Sequence, residues 1–143
     1  NQKIINDDGF KFIEKFFFNF KQYFILIDPS YEVKDDFEKI FSVLDNIETK
    51  YQKSKIIIWY PILNYSENDL FIENIRKKGI SNLINAELPI INNNENKGMK
   101  GSGLLIINFK NKKIIKNLKS LLKDLHYHLK QGDDVYNPKV RYL

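Results

Sequence analysis

The sequence predicts an α/β domain of three layers built on a largely parallel sheet. Three observations predict it. First, the apolar runs Phe24-Ile25-Leu26-Ile27, Ile56-Ile57-Ile58-Trp59-Tyr60 and Leu104-Leu105-Ile106-Ile107 are continuous rather than alternating, as in strands covered on both faces. Second, stretches with helical spacing of apolar residues separate them. Third, only the last two strands are joined by a short loop, which makes that pair antiparallel. With 143 residues and 43% hydrophobic content, the chain reads as a single domain over residues 1–143 with enough material for a core.

The elements follow in order. Lys3-Ile4-Ile5 reads as a short strand. Asn6-Asp7-Asp8-Gly9 supplies turn and helix-start chemistry. Phe10, Ile13, Phe16, Phe17 and Phe20 recur at helical spacing, a face packed on a sheet. Residues 23–28 form the strand around which the rest is organised. Asp28-Pro29 stops it, because proline cannot donate to the ladder. Ligands of open α/β sheets lie outside the carboxyl ends of the strands, so residues 28–31 are placed for chemistry. A plain strand-ending turn fits the same pattern equally. Asp35-Asp36 opens a second helix with Phe37, Ile40, Phe41, Leu44 and Ile47 on one face, its acids suited to the positive end of the helix dipole. Residues 55–60 are the next strand, stopped by Pro61. Ser66 with Asp69 forms a capping box for a helix over 67–78, and Gly79 ends it. Residues 82–91 read as a strand, 92–97 as a polar loop, and 98–103 as a glycine-rich turn into a strand over 104–109. A last amphipathic helix covers 111–129. The tail, 131–143, is open between an edge strand and an unpaired end.

The net charge of +5 is compatible with a nucleic-acid partner. Nearly all of the basicity is lysine, however, with Arg76 and Arg141 the only arginines. Asn and Ile are abundant as well, so codon bias explains much of the charge. The absence of cysteine excludes disulfides and thiolate metal sites. His126 and His128 lie two apart on a helix and do not share a face, so no metal is expected. No apolar run is long enough to span a bilayer and no signal-peptide pattern opens the chain. The expected location is cytoplasmic, with no membrane partner. Because it opens on Asn1 with a strand already under way, the chain reads as a piece of a longer protein.

Asp28-Pro29-Ser30-Tyr31 resembles the Asp-Pro-Pro-Tyr motif of S-adenosylmethionine-dependent methyltransferases that act on adenine N6. Its companions are Asp8-Gly9-Phe10, Tyr31-Glu32-Val33-Lys34 with Asp35, Trp59-Tyr60-Pro61, and Gly79-Ile80 with Leu83. Glu87-Leu88, Gly98-Met99 and Ser102-Gly103 before Leu104 complete the set. In this order and spacing the chain is similar to the carboxyl-terminal half of the bacterial RlmJ family, which methylates adenine N6 in large-subunit ribosomal RNA. Members have also been described as proteins for the use of external DNA as a nutrient.

The resemblance implies a Rossmann-like class I methyltransferase fold without its amino-terminal strands. The family's strand order is third, second, first, fourth, fifth, seventh, sixth. Lys3-Ile4-Ile5 would be the third strand and residues 23–28 the fourth. S-adenosylmethionine is the implied cofactor and ribosomal RNA the implied partner. By the same resemblance, Asp28 and the Pro29 carbonyl accept the two hydrogens of N6, and Tyr31 stacks on the extruded base. Asp8 and Gly9, with Asp28, border the cofactor, Asp8 contacting its adenine end; a helix-capping role for Asp8 is compatible. Ser30, Tyr31 and Tyr60 line the base pocket, and Trp59 packs. Ser30 departs from the family pattern. A proline there would force Pro29 out of the α region and so hold its carbonyl.

The family's glycine-rich donor loop and ribose-binding acid have no counterpart in these residues, whose six glycines are scattered. The expectation is a target-base half that is not an active enzyme by itself, its amino-terminal half either supplied as a separate chain or lost by gene decay, and that leaves the edge of residues 24–27 unpaired. The alternatives are a non-catalytic nucleic-acid-binding module and an unrelated α/β domain in which Asp28-Pro29 is only a turn.

Overall fold

The computed structural model describes residues 4–15, 22–31, 35–92, 98–111 and 113–143, without the side chains of residues 47 and 48. They contain five helices and five strands, in the order α1 (Gly9–Lys15), β1 (Phe24–Ile27), α2 (Asp35–Asp45), α3 (Ile47–Lys50), β2 (Lys55–Ile62), α4 (Tyr65–Lys77), β3 (Leu83–Pro89), β4 (Gly101–Ile107), α5 (Ile114–Leu129) and β5 (Lys139–Tyr142).

The strands form one sheet in the order β1-β2-β4-β3-β5. Pairing is parallel for β1 with β2, and antiparallel for β2 with β4, β3 with β4, and β3 with β5. The expected largely parallel sheet is therefore corrected to a mixed one. β1, β2 and β3 do run the same way, but β4 inserts between β2 and β3 in the opposite sense, so only one neighbouring pair is parallel. The tail contributes the last strand, β5, which covers the outer edge of β3.

Side-chain parity divides the core between the two faces of the sheet. Ile56, Ile58, Tyr60 and Ile62 of β2 share one face with Leu105 and Ile107 of β4. Ile40, Val43 and Leu44 of α2 and Phe71, Ile72 and Ile75 of α4 pack on it. Ile84, Ala86, Ile106 and Val140 form the other face, covered by Leu122 of α5. Helices thus lie on both sides of the sheet, giving three layers.

Coverage is uneven, which changes the picture of β1. Ile27 is buried under α2, whereas Phe24 and Leu26 are each 64% exposed. The strand was expected to be buried on both faces. It is half-covered because α5 packs on β3 and β5, at the far side of the sheet. β1 is also the outermost strand, with β2 as its one partner among the described residues.

Other boundaries differ for local reasons. Ile4 and Ile5 are exposed and lie in no strand, and Lys3 falls outside the described residues. Phe16, Phe17 and Phe20 of the first expected helix, and most of the polar loop over 92–97, are also outside them. Pro61 does not stop β2, which runs on to Ile62 with Pro61 opposite Ser102. The Lys100 N–H donates to the Ile62 carbonyl, so Ile62 faces β4 and Pro61, one residue earlier, points its nitrogen the other way. Among the described residues no strand lies there, because β1 has ended opposite Ile58.

Asn64, not Ser66, caps α4, its Oδ1 accepting from the Ser66 N–H at 2.9 Å. Asp69 instead lies 4.0 Å from Lys139 of β5. Gly79 closes α4 in the left-handed conformation as expected, at φ 65°. Gly101, Ser102 and Gly103 belong to β4 rather than to a turn before it. The final helix starts at Ile114, later than expected.

Candidate active site

The three co-directional strands β1, β2 and β3 bring their carboxyl ends to one end of the sheet. Just past β1 a cavity of about 510 Å³ opens between the start of α1, the residues after β1, and the start of α2. That volume lies within the range of about 300–1,000 Å³ usual for small-molecule sites. Asp8 and Gly9 line it from the first element, Asp28, Pro29 and Ser30 from the second, and Asp36 and Lys39 from the third. Phe10, Ile13 and Ile27 add apolar wall.

Asp8 caps α1. Its Oδ1 accepts from the Phe10 N–H at 2.9 Å and the Lys11 N–H at 3.2 Å. The Lys11 N–H above all, with that of Phe10, holds the Asp8 carboxyl below the usual range. Asp28 and Ser30 are exposed. Three carboxylates therefore meet one ammonium around the cavity, which favours a cationic or hydrogen-donating occupant.

Tyr31 stands behind this wall. It adopts φ 56°, a left-handed conformation uncommon for a bulky residue, at a cost of about 1–3 kcal/mol. Its N–H donates to Asp36 Oδ2 at 3.2 Å. Such charge-assisted bonds contribute about 1.5–3 kcal/mol and can offset the strain. Its hydroxyl donates to the Trp59 carbonyl. That carbonyl is on the side of β2 where β1 has just ended, so the phenol takes up the next acceptor along the strand. The ring centroid lies 4.9 Å from that of Phe37 and 5.5 Å from that of Trp59, at 52° and 65°. Neither neighbour is a parallel stacking partner.

Tyr60 is not at the cavity. It belongs to the α2- and α4-facing side of β2, is fully buried, and donates its hydroxyl to Asn85 Oδ1 at 2.7 Å. The expectation that it lines the base pocket is corrected by strand parity, which turns it into the core beside Phe71. Trp59 faces the opposite way and packs, as expected, against Tyr31. His126 places Nδ1 2.9 Å from the Pro89 carbonyl, inside the protein. Among the described residues no group of His, Asp or Glu is placed to hold a metal ion, and no helix is long and apolar enough to cross a membrane.

Sequence reasoning placed Asp8, Gly9, Asp28, Pro29 and Ser30, which the fold brings to one cavity. It missed Asp36 and Lys39, reading Asp36 only as first-turn acid. A signal was present: Asp36 and Lys39 are three apart, so on a helix they share a side.

Burial raises the phenols of this end of the molecule. Burial first, then the charges of Asp28 and Asp36, push Tyr31 well above its ordinary value. Burial and Glu87 do the same for Tyr60, and burial pushes Tyr65 up to about 12. An acid whose folded value exceeds its unfolded one stabilises the fold below the unfolded value, and that contribution is lost as pH rises through the folded one. Urea midpoints should therefore hold steady to about pH 10, where free phenols titrate, and fall beyond it. Tyr60→Phe should make the fall shallower; an equal slope in that variant would show that Tyr60 is not a source of it.

Comparisons with known proteins point in one direction. The model of a family described as ribosomal RNA large subunit methyltransferase D, RlmJ, matches residues 1–137. Two curated relatives carry the name ribosomal RNA large subunit methyltransferase J. The Haemophilus influenzae protein is 27% identical and the Escherichia coli protein 29% identical, each over 84 residues. Each alignment covers 59% of this chain and 30% of the relative. The crystal structure of protein LPL1258 from Legionella pneumophila superposes with a TM-score of 0.67 at 28% identity. That match covers 84% of this chain and 42% of LPL1258, so the matched stretches span less than half of each of these proteins.

Proposed function

The chain belongs to the family of ribosomal RNA large subunit methyltransferase D, RlmJ, and on that premise we propose that it carries the target-base side of an adenine-N6 methyltransferase site. The substrate is an adenine of large-subunit ribosomal RNA and the methyl donor is S-adenosylmethionine. One observation carries the reading: Asp28, Pro29 and Ser30 share a cavity with Asp8, 20 positions before Asp28, at the carboxyl end of β1. The sheet order supports it too, since β1-β2-β4-β3 runs as the fourth, fifth, seventh and sixth strands of a class I methyltransferase.

The donor set suits one end of the cofactor. Asp8 and the first turn of α1 would meet its adenine, with Phe10 and Ile13 beside the ring. The carboxylates of Asp28 and Asp36 favour its positive charge. When bound, S-adenosylmethionine supplies an electrophilic methyl group. The chain's own residues prepare the nucleophile. An exocyclic amine has its lone pair delocalised into the purine ring. The Asp28 carboxylate accepts one N6 hydrogen and the Pro29 carbonyl the other, which favours a more tetrahedral nitrogen, takes the lone pair out of conjugation with the ring and aims it; one of the two hydrogens leaves as a proton once the N–C bond has formed. This is positioning and electrostatics rather than covalent chemistry. Tyr31, fixed at its hydroxyl and its amide, has no parallel ring partner; its ring is not among the residues lining the cavity, so its stacking on the base rests on the family resemblance.

The test is transfer of labelled methyl from S-adenosylmethionine to protein-free ribosomal RNA. The catalyst is a chimera in which this chain replaces the matching part of the Escherichia coli relative. Label at adenine N6 is the expected product. A folded chimera that binds the donor yet methylates nothing would end the reading.

A further inference from the structure

Past β1, the backbone of Tyr31 lies in the left-handed region, and the group that accepts its N–H comes from another element. Asp36 Oδ2 accepts the Tyr31 N–H at 3.2 Å, while its Oδ1 accepts from Lys39 Nζ at 3.2 Å. Asp36 is only 6% exposed and lines the same cavity as Asp28, Pro29 and Ser30. Asp35, Asp36 and Glu38 all lie in the first turn of α2, and any of them can satisfy the helix dipole. Asp36 differs in pointing out of its helix to an amide five residues upstream. A carboxylate this buried is costly unless paired: Oδ2 ties residue 31 to α2, and Oδ1 is paired with Lys39 of the same helix.

We propose that Asp36, braced by Lys39, is a positioning residue of the site. It fixes the Ser30–Tyr31 peptide, whose N–H it accepts, and so narrows the freedom of the adjoining Pro29–Ser30 peptide, a restraint that a proline at position 30 would give from the other side. The inference rests on reading the cavity as the target-base pocket. It explains how Ser30 can stand where ring closure would hold the chain: the restraint is moved from the backbone at 30 to a side chain at 36.

The test uses the full chain with adenosine as the probe. Affinity is measured by calorimetry, Tyr31 amide exchange by NMR, and folding by thermal melting. Asp36→Ala should speed Tyr31 amide exchange about 10- to 100-fold, the equivalent of one charge-assisted hydrogen bond, and weaken adenosine by about tenfold. Adding Ser30→Pro to Asp36→Ala should restore adenosine affinity without restoring the melting temperature, an outcome that a merely structural role would not produce. If Asp36→Ala does not fold, Asp36→Asn, which keeps an acceptor but loses the negative charge that pairs with Lys39, should speed exchange by a smaller factor, because a neutral acceptor bonds about half as strongly. Unchanged exchange in a folded variant overturns the proposal, as does failure of Ser30→Pro to restore affinity. A wild-type chain that binds no adenosine removes the base-pocket reading and the positioning role together. Adenosine bound equally by wild type and Asp36→Ala removes the positioning role alone.

Discussion

Asp28→Ala lowers methyl transfer by the chimera about 10²- to 10³-fold, the usual cost of removing one preorganised group that acts on the reacting atoms. The expectation follows from where the carboxylate is. It sits at the mouth of the cavity, exposed, beyond the last paired residue of β1. Its removal leaves no hole in the core, so the unfolding free energy should stay within about 0.5 kcal/mol of the parent. Activity and stability therefore separate in this variant, which distinguishes a catalytic role from a strand-ending turn. Asp28→Asn should fall between, because an amide keeps one acceptor but points a donor at an amine that already has two. Steady-state kinetics and urea denaturation on the same preparations decide it. Wild-type turnover in a folded Asp28→Ala enzyme would remove Asp28 from the mechanism.

Gly103→Ala destabilises the chain by about 3 kcal/mol or more, through overpacking coupled to a broken buried polar contact. Gly103 of β4 lies opposite Tyr60 of β2 and Glu87 of β3 in one row across the sheet. A Cβ added there would fall 1.9 Å from Tyr60 Cζ and 2.3 Å from its hydroxyl oxygen. The ring lies across the strand beside it and cannot move without leaving Asn85, whose Nδ2 has no hydrogen-bond partner among the described residues. A single methyl must therefore part the strands or expel a fully buried tyrosine. Gly9→Ala is the control, since nothing lies within 4 Å of a Cβ at that position. A Tyr60→Leu background should recover part of the loss, and the coupling energy of that double-mutant cycle measures the clash. A Gly103→Ala midpoint equal to the parent's would mean that the ring packs elsewhere in solution.

These two cases show what local pattern can and cannot tell. Continuous runs such as Ile56-Ile57-Ile58 announce strands because burial and β-branching act residue by residue. Gly79 announces a helix end because its conformation is a local requirement. The site residues from 8 to 30 could be found because the resemblance to an adenine-directed motif rests on short contiguous strings. The glycines of β4, by contrast, look like a turn until the Tyr60 ring is known to lie over Gly103, a relation 43 positions apart. The place of β4 between β2 and β3 is likewise a matter of tertiary pairing, as is the turning of Tyr60 into the core rather than toward the base. Pro61 looks like a stop in the sequence, but its missing donor matters only on a side where a strand lies, and among the described residues no strand runs beside β2 on that side past Ile58. The spacing of Asp36 and Lys39 is legible, but the bond from Asp36 to the Tyr31 amide is not, because no sequence pattern records a main-chain partner.

The same kind of partner fixes the other end of Tyr31, whose hydroxyl reaches the carbonyl of residue 59 and not its indole. Every amino acid has that carbonyl. Position 59 can thus drift among residues that keep β2 intact, and the anchor persists, while positions 31 and 36 must keep a phenol and an acceptor. Selection on this corner of the site should accordingly fall on two side chains, with the third participant free to vary.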